Sequence, residues 1–273
     1  MRHRFCLFSG SGRFKLGKSG KGYGWKCIDW AETNSMSATL KMRSAKVVGR
    51  IIGLLLFVQL AGLIVPFVLL LPIANRGFLA NAAGASLQIK VAVFLLFANC
   101  ALTIGIAIAA WPILRQYSSA MAVLLVAVSV IMFSLQAVDN AHVLSMLSLS
   151  QQYAQAGGPD ELFQALAAVV GYGRKWVHYS ELLVIDAWIF LLYSLLYRFT
   201  LVPRALAVFG LITVMLHFAG ITLPLFLGYR SVTLMGATMA LSHMAVAGWL
   251  MVKGFEERNR PLDDELHGEL AGA

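Results

Sequence analysis

The chain has 273 residues, 59% of them hydrophobic and only 13% charged, with a mean hydropathy of +0.75. Soluble domains carry about 25% charged residues and disordered chains need low hydrophobicity, so both classes are excluded and a polytopic all-α membrane protein remains. The formal charge of +9 points away from nucleic acid, because the bases flank apolar runs, as they do beside lipid headgroups, instead of forming a folded basic face.

Residues 1–45 read as a disordered basic tail. Seven of the 22 Lys and Arg residues precede Met36, among Gly and Ser and without apolar periodicity. The pattern of a cleaved secretory signal is missing there. Met36 and Met42 are alternative starts, each a natural distance before the first apolar run. A transmembrane bundle over 46–254 follows. A helix rising about 1.5 Å per residue needs about 20 residues to cross the hydrocarbon layer. Six runs meet that test, at about 51–73, 90–113, 119–145, 176–197, 204–228 and 231–253. The third stays apolar to about Ser150 and must tilt or project. The stretch 150–175 is the longest external loop, and Pro159, Asp160 and Glu161 in it form a helix start. Trp176, Tyr193, Tyr197 and Trp249 sit near span ends, where amphipathic rings favour the headgroup level. Residues 255–273 hold six of the 13 acidic residues and read as a solvated tail.

Six crossings place both termini on one side. That side carries 17 Lys and Arg residues against 5 on the other, and 10 against 5 without the first 35 residues. The positive-inside rule then puts both termini in the cytoplasm.

Ionisable groups within spans cost a few kcal/mol each and so turn toward the bundle interior. By helical rise, His217, His243 and Asp186 lie near the midplane, with Asn99, Gln136 and Asn140 completing an intramembrane polar cluster. Matched depth makes His217 and His243 candidates for a bis-histidine haem or for hydrogen bonding between helices. An outer tier holds Asp139, His142, His178 and Glu181. Asp139 with His142, and His178 with Glu181, are i,i+3 pairs, each putting a carboxylate and an imidazole on one helix face. On facing, oppositely directed helices this is the layout of carboxylate–histidine metal sites, suited to zinc or iron. The plainer reading makes them interfacial residues and helix-end ion pairs. QLAGLIVPFVL and HFAGITLPLFL share a small motif that aligns Gln59 with His217 and ends in Pro66 and Pro224, which kink their helices near the outer ends. Gly105 with Ala109, and Gly220, mark close helix contacts. No GxSxG or Rossmann signature is present.

The basic lead-in AKVVGRIIGLLLF, the His178-bearing opening of the fourth span and the junction RFTLVPRALAVFGLI resemble a six-helix bacterial membrane family known as a domain of unknown function. The resemblance covers about 45–253. It implies an integral protein of the bacterial cytoplasmic membrane and carries no activity or functional residues with it. Three functions stay open on the residues. The first is a bundle handling a small solute, a lipid or protons through a polar cavity toward the outer leaflet. The second is a metal-dependent intramembrane enzyme using the outer tier, and the third an accessory or sensor subunit.

Overall fold

In the computed structural model, residues 5–6, 27–28, 30–74, 77–157, 161–228 and 233–256 are described. The chain divides into two compact units, 1–45 and 46–273. In the first, two-residue strands β1 (Phe5–Cys6) and β2 (Cys27–Ile28) pair antiparallel, with Phe5 opposite Ile28 and Cys6 opposite Cys27. Most of the N-terminal tail, Arg76, Pro159, Asp160, Arg230 and residues 257–273 lie outside the described residues.

The rest is helical. Helix α1 spans Trp30–Leu69, α2 Leu71–Ala74, α3 Phe78–Asn81, α4 Ser86–Tyr117, α5 Ser119–Ala156, α6 Glu161–Arg198, α7 Arg204–Leu227 and α8 Thr233–Lys253. Among the described residues, five helical segments are long and apolar enough to cross a membrane: 45–69, 83–117, 119–156, 161–198 and 204–227. The sequence counts six. The helix outside that set is α8, Thr233–Lys253. The outward surface agrees with a lipid surround, for Phe67, Phe94 and Phe226 are each 70% exposed while Gln136, Asp139, Asn140, Glu181 and Asp186 are buried. A water-soluble globule has the opposite arrangement. These are the features of a helical membrane protein.

Several span limits and one loop differ from the sequence reading: the first long helix ends at Leu69, with Leu71–Ala74 a separate short helix, and the second runs from Ser86 to Tyr117. Helix α5 continues to Ala156 and α6 begins at Glu161, so the long external loop is the tip of a helical hairpin. Just before it, the Ser145 and Ser148 hydroxyls are satisfied within α5, donating to the Ala141 and Leu144 carbonyls. At 38 residues each, α5 and α6 are about 57 Å long and exceed one crossing. Pro66, Pro112 and Pro224 lie inside α1, α4 and α7, and α4 runs past Pro112 to Tyr117.

From α4 onward each long helix packs against the next. Helix α1 touches both ends of this series. Its Gln59 Nε2 donates to Thr103 Oγ1 of α4 at 2.6 Å. Its Gly49 and Gly53 meet the backbone at the C-terminal end of α8: a Cβ on Gly53 would stand 2.6 Å from Met251 N, and one on Gly49 would strike Phe255 N. Small residues four apart allow this contact. Gly105 does not play the packing part expected of it, for a Cβ there meets nothing within 4 Å. The short helices α2 and α3 fold over α5. Ser150 Oγ fastens them, donating to the Leu79 carbonyl at 2.7 Å and accepting from Ala83 N at 2.8 Å. Ile73, Phe78, Leu79, Val143, Met146 and Leu147 form an apolar cluster beneath.

Candidate functional site

The antiparallel run of α5 and α6 brings the outer tier together. Ligating atoms of Asp139, His178 and Glu181 all lie within 4.8 Å of one another. Asp139 and Glu181 are each 2% exposed, whereas His178 is half-exposed toward the surface. His178 Nδ1 is 3.7 Å from Glu181 Oε2, one turn along the same face. Arg174, one turn before His178, sets its Nε 3.7 Å from Asp139 Oδ1. That is an ion pair at a separation too long for a hydrogen bond. Asp139 Oδ1, Arg174 Nε and His178 Nδ1 are buried and have no hydrogen-bond partner among the described residues.

His142, expected beside Asp139 in the same tier, stands apart from the three. Its Nδ1 donates to the Val138 carbonyl of its own helix at 2.9 Å, and its Nε2 side lies against Gly173.

Beside the cluster a cavity of about 290 Å³ opens between the α2–α3 segment and α6. One wall is apolar, made by Ile73, Ala74, Phe78 and Met146; the other carries Arg174, Lys175 and His178, with Gly171 at its edge. Arg174 and His178 thus belong to the cavity wall and to the carboxylate cluster at once. Lys175 Nζ rests 5.9 Å from the Trp176 ring centre and 6.0 Å from that of Tyr179. Its ammonium is thus within cation–π reach of two rings at the cavity edge.

The remaining polar residues form three separate groups and a lone side chain. Gln136 Nε2 donates to Asn140 Oδ1 at 3.1 Å and Gln136 Oε1 accepts from Cys100 Sγ at 3.7 Å. Asn140 Nδ2 reaches the Val93 carbonyl, so this group joins α5 to α4. His217 Nδ1 donates to Asp186 Oδ1 at 2.6 Å and joins α7 to α6, while Asp186 Oδ2 has no partner among the described residues. His243 Nδ1 lies 3.4 Å from the Tyr193 hydroxyl, which also stands 3.5 Å from Ser242 Oγ. Ser242 and Thr213 hydroxyls meet at 2.7 Å. His217 and His243 therefore engage different neighbours, each in a hydrogen-bonding role between helices. Asn99 lies apart, its Oδ1 where a Cβ on Gly62 would come within 2.7 Å.

Residue order along the chain does not announce several of these parts. Arg174 and Lys175 count only as outer bases until the hairpin folds. Tyr193 is fully buried, not an end ring at the headgroup level. Its ring occupies the space that a Cβ on Gly210 would take, which lets α7 approach α6. Gln59 and His217, aligned by the short sequence motif, find unrelated partners in Thr103 and Asp186.

No curated protein and no solved structure matches this chain. The family described as Domain of unknown function (DUF4386) matches residues 51–254, which takes in α4 to α8 and every residue of the cluster and the cavity. The chain belongs to that family.

Proposed function

We propose that this is a six-span protein of the bacterial cytoplasmic membrane, with both termini in the cytoplasm, that holds the anionic head of a small amphiphile in the cavity between α2–α3 and α6. Helix α8 makes the sixth crossing, its length being that of one hydrocarbon layer. The 17-to-5 division of bases supports the orientation, which directs the α5–α6 hairpin tip and the cavity toward the outer leaflet.

The carrying observation is the two-sided wall. Arg174 and Lys175 face Ile73, Ala74, Phe78 and Met146 across a space at the small end of ligand pockets. A neutral polar solute gains little from two bases, and a simple inorganic anion gains nothing from the apolar side. A phosphate or carboxylate head carrying an acyl chain satisfies both walls. The carboxylates behind the wall make the bases selective in position: Asp139 holds Arg174, leaving Lys175 as the freer charge.

Native mass spectrometry of the detergent-solubilised chain, titrated with phosphatidylglycerol and with phosphatidylcholine, tests this reading. The anionic lipid is expected to bind preferentially, and Lys175→Gln to weaken that binding about tenfold, near 1.4 kcal/mol. Equal retention of both lipids, or unchanged retention in Lys175→Gln, would remove the proposal.

A further inference from the structure

We propose that Asp139, His178 and Glu181 bind a divalent transition-metal cation, zinc or ferrous iron. The site goes beyond the amphiphile cavity and stands independently of it. Two helices supply the ligands, one carboxylate from α5 and an imidazole and a carboxylate from adjacent turns of α6. One nitrogen and two oxygens suit zinc or iron with a further position open. His178 also lines the cavity.

Unanswered polar atoms point to the ion. Asp139 is 98% buried, yet its Oδ1 has no hydrogen-bond donor; His178 Nδ1 is likewise without a partner. Buried polar groups ordinarily find partners, and exceptions call for a cause such as an ion. Charge argues the same way. Arg174 stands a loose 3.7 Å from Asp139, and with Glu181 in the same group two carboxylates outnumber that one guanidinium. A divalent cation reverses that balance. Ligands about 2.0–2.2 Å from one zinc stand about 3.4 Å apart, so the present spread, within 4.8 Å, closes by small side-chain rotations on fixed helices.

Arg174 is the placeholder for the ion. A metal at Asp139 releases the guanidinium, which already lines the cavity. Metal and anionic head then favour each other, and by linkage the effect is reciprocal. His142 is outside the group whose ligating atoms lie within 4.8 Å of one another.

The test is equilibrium dialysis of the purified full chain in detergent against Zn²⁺, then Fe²⁺ under reducing conditions, with bound metal and thermal midpoint measured together. No lipid is added, so failure of the amphiphile reading leaves this result intact. Stoichiometric zinc is expected. His178→Ala and Glu181→Gln should weaken it by at least the about 10–100-fold that lost outer-sphere contacts cause. His142→Ala should retain it, and Arg174→Gln should bind several-fold more tightly. Should the ligand variants not fold, Co²⁺ added to the wild type must give the visible absorption of a low-coordinate site, and its absence overturns the proposal. Failure of the wild type to retain either metal overturns it, as does equal retention in His178→Ala or Glu181→Gln, loss in His142→Ala, or no tightening in Arg174→Gln.

Discussion

Gly53→Leu is expected to detach α1 from α8 and to cause a large loss of stability. Even a methyl at Gly53 falls 2.6 Å from Met251 N and 2.8 Å from the Ala247 carbonyl oxygen. These are backbone atoms of a helix and have no rotamer by which to yield. Overfilling a packed site costs about 1–3 kcal/mol when side chains can adjust, and Gly53→Leu should exceed that range. Gly53→Ala should lie within it. Gly105→Ala is the contrast: its Cβ meets open space, and relief of glycine's conformational cost makes it neutral or stabilising by up to about 1 kcal/mol. Thermal midpoints in detergent should therefore rank Gly105→Ala at or above wild type, then Gly53→Ala, then Gly53→Leu. Equal midpoints for the two alanine variants would show that α1 does not seat on α8 through its glycines.

The second large effect is expected at the Asp186–His217 bond. Interhelical hydrogen bonds in membranes contribute about 0.6 kcal/mol on average and up to about 1.7, so an ordinary pair would be a minor matter. This one is 2.6 Å long, joins a carboxylate to an imidazole, and has side chains only 4% and 15% exposed. His217→Ala leaves a buried carboxylate with neither oxygen partnered among the described residues, since Oδ2 already lacks a donor. Breaking a buried pair in this way costs about 3–5 kcal/mol. Asp186→Ala removes the charge along with the bond and should cost less, about 1.5–3 kcal/mol. The double variant Asp186→Ala with His217→Ala should be more stable than His217→Ala alone. A double-mutant cycle reads this directly, and strictly additive losses would mean that the bond contributes nothing.

The helical class, the overlong third span and the pairing of His178 with Glu181 on α6 are legible in the sequence because each rests on a local period. Residues at i and i+3 share a face wherever the helix goes, so Asp139 and His178 with Glu181 need only antiparallel neighbours to meet. Partner choice is another matter. Gly49–Gly53 and Gly105–Ala109 have the same spacing, and only the position of α8 decides which glycines touch a backbone. His142 shares Asp139's face yet turns to its own helix, a rotamer decision outside any spacing rule. Tyr193 counts as an interfacial ring by its place near a span end, but the tight approach at Gly210 buries it beside His243. The sequence reading merges α2 with the first span and leaves α3 in a loop, because four-residue helices leave no period. Ser150 and the apolar cluster beneath hold them down as the roof of the cavity.

Cavity, orientation and basic wall meet in one accessible position, Gly171, which lines the opening and where a Cβ meets nothing within 4 Å. In a chain whose Cys6, Cys27 and Cys100 are replaced by serine, Gly171→Cys should react with a membrane-impermeant maleimide applied to intact cells. Reaction only after the membrane is permeabilised would put the opening on the cytoplasmic side and contradict an outward-facing site.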